Sequence, residues 1–183
     1  MNRLEKTRSL ILCALFAALT AVLSQIAIPI QPVPVNLATF SVFVAGGVLG
    51  AKRGAASQGI YVLLGAIGLP VFSSFRGGLG TLVGPTGGYI VGYIAAAWLV
   101  GLLSARCREK GYWFALSMVG GLALCYLLGT AWYMAVAHTG LVESLLLCVV
   151  PFLPGDAAKI AVAALLVPVL RKALSKGGTA VSV

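Results

Sequence analysis

Apolar residues run through this chain in blocks that are broken by short basic joints or by glycine- and proline-rich stretches. The blocks fall at about Ser9 to Ile28, Val35 to Gly50, Ala55 to Pro70, Thr86 to Leu103, Trp113 to Ala137, and a last one ending near Leu170. A hydrocarbon core about 30 Å thick calls for about 20 helical residues, so the second and third blocks are short for a span. Within lipid the backbone must satisfy its own polar groups, which leaves helices or a closed barrel. Unbroken runs, rather than alternating segments of about ten residues, select helices. The pattern predicts an all-α polytopic membrane protein with six transmembrane helices, forming a single domain over 1–183.

Composition agrees with that pattern. The chain is 60% hydrophobic and 9% charged, against about 25% charged in an ordinary soluble domain. The first block follows Arg3, Lys6 and Arg8 and so imitates a signal peptide. Its apolar part, Leu10 to about Ile28, is long enough to span, and no clear cleavage site follows, so it is read as the first helix. A net charge of +9 raises the question of nucleic acid, but the basic residues are not gathered into one patch interleaved with aromatics, and no nucleic-acid partner is expected.

The charges instead mark sides. With the N-terminus inside, the inner segments hold Arg3, Lys6, Arg8, Lys52, Arg53, Arg106, Arg108, Lys110, Arg171, Lys172 and Lys176, leaving Arg76 outside and Lys159 within the last block. Such inward bias of Lys and Arg is the usual topology signal. Both termini are therefore expected in the cytoplasm. The outer joints differ in kind: Ile28 to Asn36 is proline-rich and Val71 to Gly88 glycine-rich. Apolar yet irregular backbone at that depth is tolerated where it covers or lines a site, which puts the functional face outside.

The most informative segment is Pro154-Gly155-Asp156-Ala157-Ala158-Lys159. Pro154 suits the first turn of a helix, so the final span starts about there and Leu145 to Leu153 forms a separate outer, interfacial or re-entrant piece. Asp156 and Lys159 then share a helix face three residues apart. Ionisable groups at membrane depth are costly and usually face a cavity or each other. Two readings stand: an ion pair that only neutralises itself, or a ligand site in which Asp156 accepts from ligand N–H groups and Lys159 donates to a ligand oxygen.

Arg76-Gly77-Gly78-Leu79-Gly80 and Gly84-Pro85-Thr86-Gly87-Gly88-Tyr89 lead into the fourth span. They make either a plain turn or a loop folding over a ligand, with Tyr89 as an aromatic wall. Overlapping pairs Ala14/Ala18 and Ala17/Ala21 in the first span allow close approach of another helix, within the chain or on a partner. Cys13, Cys107, Cys125 and Cys148 stand singly and read as packing residues; His138 reads as a loop histidine, and no metal set is expected. With four acidic residues in all, Glu5, Glu109 and Glu143 among them at surface positions, no catalytic residues are expected. A small membrane enzyme acting on a lipid or vitamin, using Asp156 with His138, lacks a second acid or nucleophile. A structural adaptor working through the alanine face has no use for a polar pair in the outer leaflet.

Gln31-Pro32-Val33-Pro34-Val35, Gly65-Ala66-Ile67-Gly68-Leu69-Pro70-Val71-Phe72, Gly84-Pro85-Thr86-Gly87-Gly88-Tyr89 and the Pro154 to Lys159 segment, with the alanine-rich first span, together resemble the BioY family. These are the biotin-specific S-components of energy-coupling factor (ECF) transporters. The resemblance implies a six-helix protein of the prokaryotic cytoplasmic membrane that captures biotin from outside. It also implies association with a coupling transmembrane subunit and two ATPases. Asp156, Lys159, Gly87, Gly88 and Tyr89 map onto the family's ligand-site residues, and Ala14 and Ala18 onto its coupling contact. Thr86, Gln31, Phe72 and Val35 join the expected ligand surroundings, Arg76 is the candidate for the ligand carboxylate, and Ala17 and Ala21 extend the partner contact. Biotin is cargo here and no cofactor is expected. The chain carries no GxxxxGK[ST] phosphate loop, so either energy for uphill uptake comes from partners or transport is only facilitated.

Overall fold

The computed structural model describes residues 3–28, 33–106 and 111–176; Gln31 and the basic pair Arg108 and Lys110 lie outside them. The described chain is mostly helical: α1 (Arg3–Gln25), α2 (Ala38–Leu49), α3 (Ala51–Ala66), α4 (Leu79–Val83), α5 (Gly87–Arg106), α6 (Gly111–Ala137), α7 (Leu141–Cys148) and α8 (Leu153–Lys176). Strands β1 (Ala27–Ile28) and β2 (Val35–Asn36) pair antiparallel just after α1, with Ala27 opposite Asn36. Four stretches among the described residues are long and apolar enough to cross a membrane: Glu5–Gln25, Gly87–Arg106, Tyr112–Ala137 and Leu141–Ser175.

A helix stands at each of the six expected places, but the ends differ where the backbone found a shorter route. Val35 and Asn36 belong to β2, so α2 begins only at Ala38. Lys52 and Arg53, expected in a joint, form the first turn of α3 because Gly50 alone reverses the chain. Its φ of 78° lies in the left-handed region that glycine adopts without steric cost. Leu145 to Leu153 divides into the end of α7, a 3₁₀ turn at Val150–Phe152 and the first residue of α8, whose first turn carries Pro154 as expected.

The core has two halves along the bundle axis. One is built on Phe43, Val100, Phe114, Met118 and Val167 at the end where the basic residues gather. The other, built on Tyr61, Phe72, Tyr89, Tyr93 and Phe152, lies beneath the loop-rich end. At the basic end Arg171 of α8 donates to Gly47 O of α2 at 2.6 Å and to Ser104 Oγ of α5 at 3.0 Å, and stacks over the Phe114 ring of α6 at 4.9 Å. One side chain thus pins three helices to a fourth. The result is a rigid lower half supporting an upper half rich in irregular backbone and polar side chains.

α1 turns Cys13, Phe16, Ala17, Thr20 and Ser24 inward and leaves Leu10, Ile11, Leu15, Leu19 and Val22 exposed. Its inner hydroxyls explain that rotation. Thr20 Oγ1 bonds Ser41 Oγ at 2.8 Å and accepts from Gln58 Nε2 at 3.2 Å, tying α1 to α2 and α3. A hydroxyl facing hydrocarbon would forgo such partners.

Candidate functional site

Asp156 is 1% exposed and Lys159 8%, which places a full ion pair inside the upper half of the bundle. Lys159 Nζ meets Asp156 Oδ1 at 2.8 Å, Thr39 Oγ1 at 3.1 Å and the Asn36 carbonyl at 2.5 Å, using all three of its donors. Asp156 Oδ1 also accepts from Thr39 Oγ1 at 3.0 Å, and Oδ2 accepts from the Tyr126 hydroxyl. Thr39 therefore gives its one proton to the carboxylate and receives one from the ammonium. Burying two charges in this way is affordable because every strong donor and acceptor is met.

Above the pair lie two adjoining cavities. The deeper one, about 30 Å³, is bounded by Asp156, Lys159, Thr39, Tyr126, Cys125 and Phe152. The outer one, about 100 Å³, is bounded by Tyr61, Phe72, Ser73, Arg76, Thr81 and Thr86. Val33, Pro34, Asn36, Tyr89 and Tyr93 line both and so join them into one recess. The recess is polar at the bottom, aromatic at its waist and guarded at its mouth by Arg76, which stays exposed.

Asn36 knits the cover to the floor. Its side-chain oxygen accepts from Ala38 N at 3.0 Å, which starts α2, while its Nδ2 donates to Ser73 Oγ. Its carbonyl is the one held by Lys159. The β1–β2 segment and the 70–76 segment are thereby joined to each other and to the charged pair.

The recess brings together Asp156, Lys159, Tyr89, Thr86, Arg76 and Phe72 from the sequence-derived set. Tyr89 bonds Thr130 Oγ1 at 3.0 Å and the Cys148 carbonyl at 3.4 Å, so its ring is fixed as a wall. Phe72 meets Tyr61 edge-on at 5.5 Å between centroids. Val35 lies beside the recess, lining an apolar groove of about 570 Å³ between α1 and α8 instead. Gly87 and Gly88 are outside the lining. A Cβ at Gly87 would fall 1.6 Å from the Leu82 carbonyl and one at Gly88 2.2 Å from Trp132 Cβ, so both serve the close approach of α4 and α6 to α5. Gln31 falls outside the described residues.

Asn36, Thr39, Tyr93 and Tyr126 were not singled out by sequence reasoning. Tyr93 follows Tyr89 by one helical turn and was readable as the same face. Thr39 and Tyr126 reach Asp156 from 117 and 30 residues away, and nothing local announces them. Cys125, counted among the packing residues, also lines the deeper cavity. The alanine pairs split: Ala17 is 1% exposed and Ala21 half-buried, while Ala14 and Ala18 face outward. His138 is exposed at the turn after α6, and none of the bonds to Asp156 comes from it. Among the described residues no three His, Cys, Asp or Glu side chains cluster to hold a metal.

Comparison with known proteins places these features in a family. A family model described as the BioY family matches residues 1–176. The biotin transporter BioY of Thermotoga maritima is 43% identical over 165 residues, covering 90% of this chain and 96% of that protein. The biotin transporter BioY of Rhizobium etli is 40% identical over 171 residues, covering 87% and 91% respectively. The fold is similar to a crystal structure of the S-component for biotin from an ECF-type ABC transporter, with a TM-score of 0.87, 29% identity, and coverage of 94% and 95%.

Proposed function

The chain belongs to the BioY family, and from that premise we propose that it takes up biotin as the substrate-binding subunit of an ECF-type ABC transporter. It is a multi-pass membrane protein and a transporter component, not an enzyme. In the full proposal all six long helices cross the prokaryotic cytoplasmic membrane, with α2 and α3 as the short spans and both termini inside. Residues 1–183 act as one substrate-binding unit, which docks on a coupling transmembrane subunit that works with two ATPases. Biotin is the cargo and no cofactor takes part.

The buried Asp156–Lys159 pair is the observation that carries this reading. Biotin's ureido group offers two N–H donors and one carbonyl, the complement of a carboxylate beside an ammonium. In the closed recess those valences are met by Thr39, Tyr126 and the Asn36 carbonyl. A ligand entering when the cover opens would exchange its own N–H groups for the Tyr126 and Thr39 donors, and its carbonyl for that of Asn36. The buried carboxylate and ammonium keep hydrogen-bond partners in either state, which keeps the exchange inexpensive for the two charges. Tyr89 and Tyr93, one turn apart on α5, then wall one side of the ring system and exposed Arg76 meets the carboxylate at the mouth, the usual division of a pocket into apolar walls and few polar anchors.

Calorimetric titration of the purified, detergent-solubilised protein with biotin tests the proposal. The expected result is nanomolar binding, about −12 kcal/mol, abolished in Lys159→Ala and retained in Cys13→Ala, which lies in the other half of the core. A well-folded wild type that gives no heat with biotin would end the biotin assignment.

A further inference from the structure

The last turn of α1 is bonded to the 70–76 segment at Pro70, Val71, Phe72 and Phe75. Ser24 Oγ lies 2.6 Å from the Val71 carbonyl. Gln25 Nε2 stands 3.2 Å from the Phe72 carbonyl and 3.4 Å from that of Pro70, besides the Ala21 carbonyl of its own helix at 3.2 Å. On its other face Gln25 Oε1 accepts the backbone N–H of Phe75 at 2.9 Å. A single amide thus grips the segment from both its donor and its acceptor side.

What it grips is strained. Ser74 and Phe75 both take left-handed backbone, with φ of 61° and 57°, which costs energy for any residue bearing a Cβ and persists only when the surroundings hold it. Burial does not hold it here, since Phe75 is 71% exposed. The same segment supplies Phe72, Ser73, Ser74 and Arg76 to the wall of the recess. Gln25 itself touches neither cavity.

We propose that Gln25 is a positioning residue that latches the 70–76 segment closed and so sets how long the ligand stays. The ligand's identity rests on the biotin reading above; the latch does not. Losing the latch leaves the recess walls chemically unchanged but frees a turn that relaxes away from its closed conformation. Entry and escape both pass through the open turn, so loss of the latch quickens both, and escape reads directly as residence time.

Two measurements on the full-length protein separate the latch from its ligand. In Gln25→Leu without ligand, hydrogen exchange at the Phe72 and Phe75 amides should quicken about tenfold, the effect of losing one or two neutral hydrogen bonds. With labelled biotin and an unlabelled chase, dissociation should quicken about tenfold, and association should rise with it because both pass through the open turn. Adding Phe75→Gly, which makes φ near 57° nearly free of strain at a residue that lines neither cavity, should return dissociation to within about threefold of the wild type. A general weakening of the fold would not be cured by a glycine at this turn. Unchanged exchange and unchanged dissociation in Gln25→Leu would overturn the proposal, as would fast dissociation that Phe75→Gly fails to slow. Faster exchange in Gln25→Leu, beside a wild type that binds no biotin, would uphold the latch and defeat the capture reading alone.

Discussion

Neutralising the charged pair one member at a time, and then both together, separates its structural role from its ligand role. In Lys159→Met the buried carboxylate keeps Thr39 and Tyr126 but loses the cation 2.8 Å away. Asp156→Asn leaves the ammonium with the Asn36 carbonyl and the Thr39 hydroxyl but no anion. Removing one partner of a buried pair costs about 3–5 kcal/mol, mostly from the charge left behind. Asp156→Asn with Lys159→Met leaves no charge behind, so most of that stability should return, to within about 1–2 kcal/mol of the wild type. Binding should not return. Charge-assisted bonds to a ligand are worth about 1.5–3 kcal/mol each, and losing two of them weakens affinity by two to four orders of magnitude, at about 1.4 kcal/mol per decade. Thermal unfolding in detergent reads the first quantity and calorimetry with biotin the second. A double variant that binds biotin like the wild type would refute the argument, as would single variants that bind within about threefold of it.

Three further expectations follow from the packing. Ala17→Leu overfills a buried site and should cost about 1–3 kcal/mol of stability, whereas Ala18→Leu on the outward face should leave biotin binding intact and abolish uptake when partner subunits are present. Gly88→Ala would push a methyl into Trp132 Cβ; it should lower the unfolding midpoint and loosen Tyr89, visible as weaker biotin binding by calorimetry. Arg171→Met removes the bonds to Gly47 and Ser104 and the contact with Phe114. It should destabilise by about 2 kcal/mol, and Arg171→Lys should rescue little of this because an ammonium cannot reproduce the planar fork.

The parts of this protein that were legible in its sequence are those that depend on near neighbours. Blocks of apolar residues located every long helix, and an aspartate three residues before a lysine inside such a block announced the charged pair. Helix ends slipped wherever a single residue replaced a joint, as Gly50 does between α2 and α3. The inward face of α1 was also readable, because Thr20 and Ser24 must seek partners in the interior and Ala17 lies on their side. The alanine pairs, read by spacing alone, concealed this. Asn36, Thr39 and Tyr126 stayed hidden because their roles arise from contacts across the fold, and each is an ordinary polar residue in its own stretch.

The unequal lengths of the helices also bear on the lipid around them. At about 1.5 Å per residue, α3 rises about 24 Å, α5 about 30 Å and α6 about 40 Å. α2 is shorter still, but its buried surface hides it from lipid. α3 carries exposed Leu63 near its end, with exposed Ile67 just beyond it, and packs beside α1. In the six-span arrangement the bilayer must therefore pinch along the α1–α3 flank while standing at full height along α6. Such mismatch costs fractions of a kcal/mol for each Å, so a shortfall of about 6 Å stores on the order of 1–3 kcal/mol of elastic energy. A protein neighbour that covers this flank, where Ala14 and Ala18 look outward, releases that energy. The membrane itself then draws a partner to one side of the molecule, most strongly in thick bilayers.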